Sequence, residues 1–223
     1  MNFKFINGWK FPEYETKLCA IDENGNSVYK GLDPVNTALE YVKNFNTFLY
    51  IGANVGLISV PLAKKFQKVI SVECVPETFE SLEYNLKDYS NATALKFAIS
   101  NSNGNISVAI PKRNGEFVSS GWASISKERQ ETFDEKIFVD VETKTIDSLN
   151  LDSLDFLKID VEQAEMQVIE GGIKTILKYR PVIEFENKRG ENLHVIELLE
   201  KHGYQIIPGR KRKSSECIMY FPN

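Results

Sequence analysis

The sequence has little cysteine, little histidine and no long apolar run. Its three cysteines, Cys19, Cys74 and Cys217, are far apart and form no C-x-x-C pair, which argues against a disulfide scaffold or a zinc knuckle. No apolar stretch approaches the roughly 20 residues that span a membrane, and no basic-then-apolar signal pattern is present. The two histidines, His194 and His202, are too far apart in one predicted helix to share a metal. These absences predict a cytoplasmic protein with no membrane partner.

Positive charge is not in excess either. The chain carries 27 lysines and arginines against 31 acidic residues, a net charge of −4. This balance argues against general affinity for nucleic acid, because such binding depends on basic side chains that neutralise phosphates. Apolar residues make up 42% of the 223 residues, which is enough for one full-sized globular domain to bury its own core.

The most informative feature of the sequence is a glycine-containing turn at residues 52–56. Residues 47–51 form a short apolar run typical of a buried strand, and apolar residues with helical spacing follow from Val55 onward. Between them, Gly52 and Gly56 allow close approach of the backbone, and Asn54 tolerates a positive φ. Strand, tight turn and helix together aim free backbone N–H groups at a ligand.

A carboxylate at the end of the next predicted strand indicates a nucleoside ligand. Glu73 lies 21 residues after Gly52, the spacing at which dinucleotide folds place the acidic residue that binds the ribose. A G-x-G-x-x-G fingerprint would need glycine where the chain has Asn54 and Leu57, which disfavours a nicotinamide or flavin site. The spacing G-x-N-x-G suits S-adenosylmethionine, whose amino-acid end is smaller than a pyrophosphate. The alternative is an ordinary strand-to-helix turn with incidental glycines.

The remaining elements predict an α/β fold with a small β appendage. Residues 1–33 are rich in aromatics and turn signals, and we expect a hairpin appendage there, with the main domain at 34–223. In that domain strands alternate with helices, which predicts a Rossmann-like, doubly wound, mainly parallel sheet. A helix is expected from Asp33-Pro34 to about Phe45. Residues 93–99 are expected to form one strand, and residues 137–143 an edge strand.

The segment 111–135 is predicted to form a loop. Residues 111–135 are polar and rich in glycine and serine, with Trp122 as the one tryptophan. The length of the segment and its small residues predict a mobile lid anchored by that tryptophan.

Five predicted elements bring polar or ligand-binding residues to one edge of the sheet. Gly52, Glu73, Ile99, Asp160 and Glu186 all fall at or just beyond the carboxyl ends of strands, where open α/β sheets bind ligands. A carboxylate at the mouth of an otherwise apolar strand marks Asp160 as a candidate catalytic residue, with Glu186 as its neighbour. The alternative is that Asp160 only caps the helix that starts near residue 163.

Beyond these patterns, a set of motifs resembles the FkbM family of S-adenosylmethionine-dependent methyltransferases over about residues 45–223. The motifs occur in the family's order. They are Ile51-Gly-Ala-Asn-Val-Gly56, Ser71-Val-Glu-Cys-Val-Pro76, Leu95-Lys-Phe-Ala-Ile-Ser100, Thr145-Ile-Asp-Ser-Leu149, Lys158-Ile-Asp-Val-Glu-Gln-Ala-Glu165 and Pro181-Val-Ile-Glu-Phe-Glu186. The opening Gly8-Trp-Lys-Phe-Pro12 with Glu15-Thr16 further resembles compact bacteriophage-encoded versions, for which the location would be the host cytoplasm.

The resemblance implies a seven-stranded sheet with an antiparallel last strand, and methyl transfer, usually to oxygen. It places the turn against the methionine part, Glu73 against the ribose, Ala98 and Ile99 beside the adenine, and Asp160 near the methyl group. The implied cofactor-binding set is Ile51, Gly52, Ala53, Asn54, Gly56, Glu73, Cys74, Ala98, Ile99 and Asp160. Two positions depart from the family pattern: Tyr50 replaces an aspartate, and Gln163 replaces a glycine.

The acceptor is expected to be a sugar or another small polar molecule. A basic cluster, residues 210–213, is either a solvated hairpin loop or a docking site for an anionic acceptor such as a phosphate, a nucleotide sugar or nucleic acid. The predicted substrate-binding residues are Trp122, Arg210 and Lys211. No metal is predicted, although Asp160 and nearby glutamates are a candidate set for Mg²⁺ or Ca²⁺. The alternatives to a small-molecule methyltransferase are a nucleic-acid methyltransferase and a non-catalytic protein that binds S-adenosylmethionine.

Overall fold

The structure, a computed structural model, describes residues 2–222, and at positions 120 and 189 only the backbone. The strands are β1 (Phe3–Ile6), β2 (Trp9–Pro12), β3 (Thr47–Ile51), β4 (Lys68–Val72), β5 (Ala92–Leu95), β6 (Ala98–Ile99), β7 (Gly104–Arg113), β8 (Glu116–Phe117), β9 (Glu135–Lys144), β10 (Phe156–Ile159), β11 (Val182–Glu186), β12 (Gln205–Ile206) and β13 (Glu216–Tyr220). The helices are α1 (Leu32–Leu39), α2 (Ser59–Ala63), α3 (Pro76–Leu86), α4 (Lys127–Glu131), α5 (Glu165–Glu170), α6 (Ile173–Tyr179) and α7 (Leu193–Lys201).

A seven-stranded sheet in the order β12-β13-β11-β10-β3-β4-β5 forms the centre of the molecule. The five strands from β11 to β5 are parallel, and β13 pairs antiparallel with β11. Every residue of β3 is buried, because helices cover both faces of the sheet. Phe48 and Phe156 pack beneath α1 to α3, and Leu49 and Leu157 pack on the side of α5 to α7. The predicted α/β class and the antiparallel last strand are confirmed.

A second sheet, in the order β6-β9-β7-β8, corrects two predictions. The strand expected at 93–99 divides, because β5 pairs in the central sheet whereas Ala98 and Ile99 pair with β9. The strand expected at the edge, β9, has neighbours on both sides. Its alternating pattern reflects a sheet with one covered face, where Val139 and Val141 pack against a small apolar core around Val108.

Two helical predictions also need correction. Helix α1 begins at Leu32 and ends at Leu39, because backbone hydrogen bonds to Tyr29 and Lys30 start it before Asp33. The helix expected after residue 163 is divided into α5 and α6. At the division a Cβ on Gly171 would lie 2.1 Å from the Ser100 carbonyl oxygen, so the chain comes too close for an ordinary side chain.

The segment 111–135 is not an irregular loop. The end of β7 pairs with β8 across the turn at Asn114-Gly115, and a 3-10 turn at residues 120–122 and helix α4 follow. Ser126 supports α4 as its N-terminal cap by accepting a hydrogen bond from the Arg129 N–H.

The N-terminal appendage is a β1–β2 hairpin packed on α3. Trp9 and Phe11 are buried in the main core, and the Lys10 backbone exchanges two hydrogen bonds with the side chain of Asn85. Farther along the appendage, the turn at Asn24-Gly25 joins only a single bridge between residues 21 and 27. No helix in the described part of the chain has the length and apolar character needed to cross a bilayer.

Candidate functional site

The carboxyl ends of the parallel strands open onto two adjoining cavities. The cofactor cavity lies over β3, β4 and β6, and the acidic cavity lies over β3, β10, β11 and β13. Eight of the ten residues predicted to bind cofactor line the cofactor cavity: Ile51, Gly52, Asn54, Glu73, Cys74, Ala98, Ile99 and Asp160. Ala53, Trp122 and Glu186 line the acidic cavity. Gly52, Asn54, Gly121, Asp160 and Glu162 line both cavities, so the two spaces meet at Asp160.

Three predicted site residues stand outside the linings of these two cavities as described. Arg210 and Lys211 lie in the connection between β12 and β13. Gly56 has a φ of +95°, and a Cβ there would lie 3.0 Å from Leu82 of α3. Close packing against α3 therefore accounts for glycine at position 56 without a ligand.

The turn after β3 is shaped by the strand beside it. Gly52 has a φ of +79°, and a Cβ at this position would lie 1.8 Å from the Asp160 carbonyl oxygen. The Gly52 and Ala53 N–H groups both donate to the Val72 carbonyl, and Asn54 takes a φ of +50°. Glycine at 52 is thus required because β3 and the end of β10 approach each other closely, where Asp160 enters the site.

Glu73 is buried at the base of the cofactor cavity. Its carboxylate accepts hydrogen bonds from the backbone N–H groups of Asn54, Cys74 and Val75 at 2.8–3.0 Å. Burial raises the pKa of Glu73 to about 7, and these three hydrogen bonds oppose the rise. The carboxylate therefore holds the turn in shape as well as lining the predicted ribose position.

Asp160 does not cap the helix that follows it. Helix α5 begins at Glu165, and the residue that precedes it is Ala164, so the capping alternative is wrong. Between strand and helix, Glu162 and Gln163 take φ values of +52° and +73°, in the left-handed region that favours glycine. The glycine that the resemblance implies at position 163 is explained by this φ. This chain keeps the conformation with a larger side chain, at some cost in strain.

Asp160, Glu162 and Glu186 bring carboxylate oxygens within 4.8 Å of one another. Arg129 pairs with Glu162 at 3.3 Å, and Lys188 pairs with Glu186. Such a group resembles the oxygen set that Mg²⁺ or Ca²⁺ requires. Because two of the three carboxylates already have cationic partners, we assign no metal to it.

A buried ion pair and a tyrosine lie below the acidic cavity. Lys158 donates to Glu184 at 2.9 Å, and both side chains are almost fully buried. Opposite Lys158 on β3, Tyr50 is 4% exposed and lines the cavity. Burial raises the pKa of Tyr50 well above its usual value, so its hydroxyl keeps its proton. Sequence reasoning treated position 50 only as a missing aspartate.

Two further lining residues were missed entirely. Tyr29 comes from the appendage, and Glu216 comes from the first position of β13, directly opposite Glu186. Neither residue carries a local motif. The signal that could have found Glu216 is the antiparallel pairing of the last strand, which the family resemblance implies.

The segment 111–135 forms one wall of both cavities. Gly121, Ala123 and Ser124 line the cofactor cavity, and Ser124 donates to the Glu162 carbonyl at 2.6 Å. The segment is tied to the appendage by Glu15, which is fully buried and accepts a hydrogen bond from Ser119 at 3.0 Å.

The buried carboxyls predict a stability that falls with rising pH. Burial raises the pKa to about 7 at Glu73, Glu162, Glu165 and Glu216, against 4.5 in the unfolded chain. The folded state then binds more protons than the unfolded state between pH 4.5 and 7. Stability contributed by these groups is therefore present below pH 4.5 and lost as the pH rises through 7. We expect a higher melting temperature at pH 5.5 than at pH 8.

Glu165→Gln separates this effect from general charge effects. Glu165 is 1% exposed, and its Oε1 has no hydrogen-bond partner among the described residues. The neutral glutamine should stabilise the protein by roughly 1–3 kcal/mol at pH 8 and change little at pH 5.5. The matched control is Glu83→Gln on the exposed side of α3. If both variants show the same pH dependence of stability, Glu165 is not a source of that dependence.

Comparison with known proteins places these features in a family. The model of the family described as the methyltransferase FkbM domain matches residues 51–206. A curated protein, methyltransferase sdnD of Sordaria araneosa, is 27% identical over 193 residues, which cover 71% of this chain and 73% of that protein.

A solved structure, methyltransferase FkbM from Methylobacillus flagellatus KT, superposes with a TM-score of 0.55 at 15% identity. The superposition covers 94% of this chain and 49% of that one, so this chain spans about half the length of that structure. At this identity the likeness supports the fold alone. Neither relative supports the closer likeness to bacteriophage versions.

Proposed function

Because the chain belongs to the FkbM methyltransferase family, we propose that it binds S-adenosylmethionine in the cofactor cavity and methylates a small polar acceptor in the acidic cavity. The observation that carries this proposal is that the two cavities meet at Asp160. A carboxylate at that junction stands between the space for a nucleoside and the space for an acceptor. If the acceptor group is a hydroxyl, the reaction is O-methylation, because Asp160 at this junction can accept the hydroxyl proton.

The residues present fit the cofactor. The cofactor cavity joins apolar walls at Phe97 and Ile99 to a buried carboxylate at Glu73, as an adenosine with ribose hydroxyls requires. The turn at 52–54 comes close enough to the cavity that its backbone can meet a ligand directly. S-adenosylmethionine supplies an electrophilic methyl group on a sulfonium.

The chain's own part is to position the acceptor and hold its proton. Asp160 would orient an acceptor hydroxyl and accept its proton as the new bond forms, a contribution of ~10²–10⁴-fold for a well-placed base. Glu186 would make the second contact to the acceptor from the neighbouring strand. Close positioning of acceptor and methyl group supplies much of the remaining rate.

Binding and product formation test the proposal separately. Titration calorimetry of the purified protein should show binding of S-adenosylmethionine and S-adenosylhomocysteine, but not of NAD or ATP, because two of the three dinucleotide glycines are missing. Mass spectrometry of a small molecule that copurifies with the protein, before and after incubation with S-adenosylmethionine, should show a gain of one methyl group. Binding without any methylated product would favour the non-catalytic alternative, and binding of NAD in its place would overturn the proposal.

Removal of the Glu73 carboxylate should weaken cofactor binding. We expect Glu73→Ala to reduce the affinity for S-adenosylhomocysteine by ~1–3 kcal/mol, the effect of losing a charged acceptor and stranding its donors. The same loss affects the turn, since Asn54 N–H then loses its partner. Glu73→Gln keeps the side-chain shape and one acceptor oxygen, so it should retain stability better than affinity. Unchanged affinity in both variants would remove Glu73 from the site.

The lid prediction is tested by hydrogen exchange. Although residues 111–135 contain regular elements, α4 is only five residues long and contains no buried residue. We expect amide exchange in 114–132 to slow when S-adenosylhomocysteine binds, because Gly121 and Ser124 line the cofactor cavity. Equal exchange with and without ligand would make the segment a static wall.

Two other acceptor classes fit the acidic cavity less well. Nucleic acid finds little support in a cavity lined by carboxylates, and Arg210 and Lys211, which would dock an anionic acceptor, lie outside that lining. The proposed boundary near residue 33 marks a change in the sequence pattern. It does not separate two cores, because Trp9 and Phe11 of the appendage belong to the main core. Cytoplasmic location is retained as a prediction.

A further inference from the structure

The charge of the acidic cavity is one-sided. Four carboxylates line it, and Lys188 is the one lysine or arginine among its described lining residues. The carboxylates come from three separate elements: Asp160 and Glu162 follow β10, Glu186 ends β11, and Glu216 begins β13. Glu186 and Glu216 face each other across the β11–β13 pair.

Above pH 7, where Glu162 and Glu216 are ionised, the partners of these carboxylates leave negative charge uncompensated. Glu186 pairs with Lys188 and Glu162 with Arg129. The deeper cation, Lys158, is held by Glu184, so this buried pair adds no net charge. Glu216 has no ion pair among the described residues, and its Oε2 is buried without a hydrogen-bond partner there. A ligand with a positive group would match this surface, whereas a phosphate would be repelled.

Aromatic side chains form the rest of the wall. Tyr29, Tyr50 and Trp122 line the same cavity as the carboxylates. Aromatic faces beside carboxylates are the surroundings that recognise organic ammonium groups. Lys17 already lies over the Trp122 ring at 4.5 Å, and Lys158 lies over the Tyr50 ring at 5.6 Å, so we count these two rings only as walls and Tyr29 as the ring open to a cation.

Tyr50 adds an observation independent of the carboxylates. Its side chain is 4% exposed and lines the cavity, and no hydrogen bond described for the structure involves its hydroxyl. The hydroxyl is not among the fully buried atoms that lack a partner, so it opens onto the cavity, where it can donate to a ligand atom. An acceptor oxygen is the matching group.

From this geometry we infer that the acidic cavity selects an acceptor that carries an organic ammonium group close to its hydroxyl. The ammonium lies against Glu216 and the Tyr29 ring, and the Tyr50 hydroxyl donates to the acceptor oxygen. This inference rests on the proposed methyl transfer, since it names the acceptor class of the same site. It replaces the anionic acceptor suggested by Arg210 and Lys211, which lie outside the lining.

Binding of a matched pair of probes tests the charge preference. Choline and its neutral isostere 3,3-dimethylbutan-1-ol differ in one atom and one charge, and both carry a hydroxyl. In nuclear magnetic resonance titrations of the full chain, with and without S-adenosylhomocysteine, we expect choline to bind at least tenfold more tightly. Glu216→Gln should reduce this ratio to below threefold, while Glu83→Gln leaves it unchanged. Tyr50→Phe should weaken both probes by a similar factor, because both lose the same hydrogen bond.

Each other outcome overturns the inference in a distinct way. Equal binding of the two probes would remove the charge preference. Displacement of choline by S-adenosylhomocysteine would assign the ammonium site to the amino-acid end of the cofactor. Tighter binding of glycerol 3-phosphate, lost in Arg210→Ala/Lys211→Ala, would restore the anionic acceptor. If S-adenosylhomocysteine does not bind at all, the proposed function fails, whereas the probe ratio on the free protein still reports the cavity's own preference.

Discussion

Asp160→Asn should lower kcat by at least ~100-fold, the lower end of the range for general-base catalysis, while fold and melting temperature change little. The asparagine keeps the size of the side chain but cannot accept the hydroxyl proton. The backbone contacts at this position are kept, because the Asp160 N–H donates to the Ile51 carbonyl and does not involve the carboxylate. Affinity for S-adenosylhomocysteine should change far less than kcat.

The matched control is Asp88→Asn, an exposed residue after α3. Steady-state kinetics on the copurified acceptor, with calorimetry of S-adenosylhomocysteine on both variants, separates catalysis from binding. Full activity of Asp160→Asn would remove it as the base, and Glu186 would then be the first residue to test. Loss of cofactor affinity equal to the loss of kcat would instead make Asp160 a binding residue.

Gly52→Ala should destabilise the protein by about 3 kcal/mol or more and abolish cofactor binding. The added Cβ would lie 1.8 Å from the Asp160 carbonyl oxygen, a backbone atom that cannot move without separating β3 from β10. The positive φ of +79° adds strain of roughly 1–3 kcal/mol on its own. Denaturant unfolding and calorimetry with S-adenosylhomocysteine measure the two effects.

Gly115→Ala is the control that separates the steric clash at position 52 from the backbone strain of a positive φ. Gly115 has a φ of +78°, nearly the same as Gly52, but a Cβ there would meet nothing within 4 Å. It should cost only the strain, about 1 kcal/mol, and leave cofactor binding intact. Similar losses in the two variants would show that the approach of Asp160 to Gly52 is not tight in solution.

Local patterns predicted the parallel core well. The buried run at 47–51 and the apolar strand that ends at Asp160 both appear where they are expected. These elements carry their signal in their own residues, as short apolar runs. The edge of the sheet where Gly52, Glu73 and Asp160 meet follows from the order of such elements.

Elements set by distant pairing were predicted poorly. The break between Leu95 and Ala98 depends on β9, some 45 residues later, and no local residue announces it. The inner position of β9 depends in the same way on β6 and β7. Glu216 lines the acidic cavity because β13 pairs with β11, and Tyr29 lines it because the appendage packs on the main domain. These pairings join residues that are far apart in sequence, so the local pattern of apolar residues does not predict them.

The buried hydrogen bond between Glu15 and Ser119 has a consequence for how relatives could differ. The same Glu15 carboxylate accepts from the backbone N–H groups of Lys17 and Leu18, so one side chain holds together the start of the chain and the wall at residues 119–124. These two stretches are therefore coupled and form one unit beside the central sheet. Exchanging this unit as a whole between relatives should transfer acceptor preference, whereas exchanging either half alone strands a buried carboxylate or its donor.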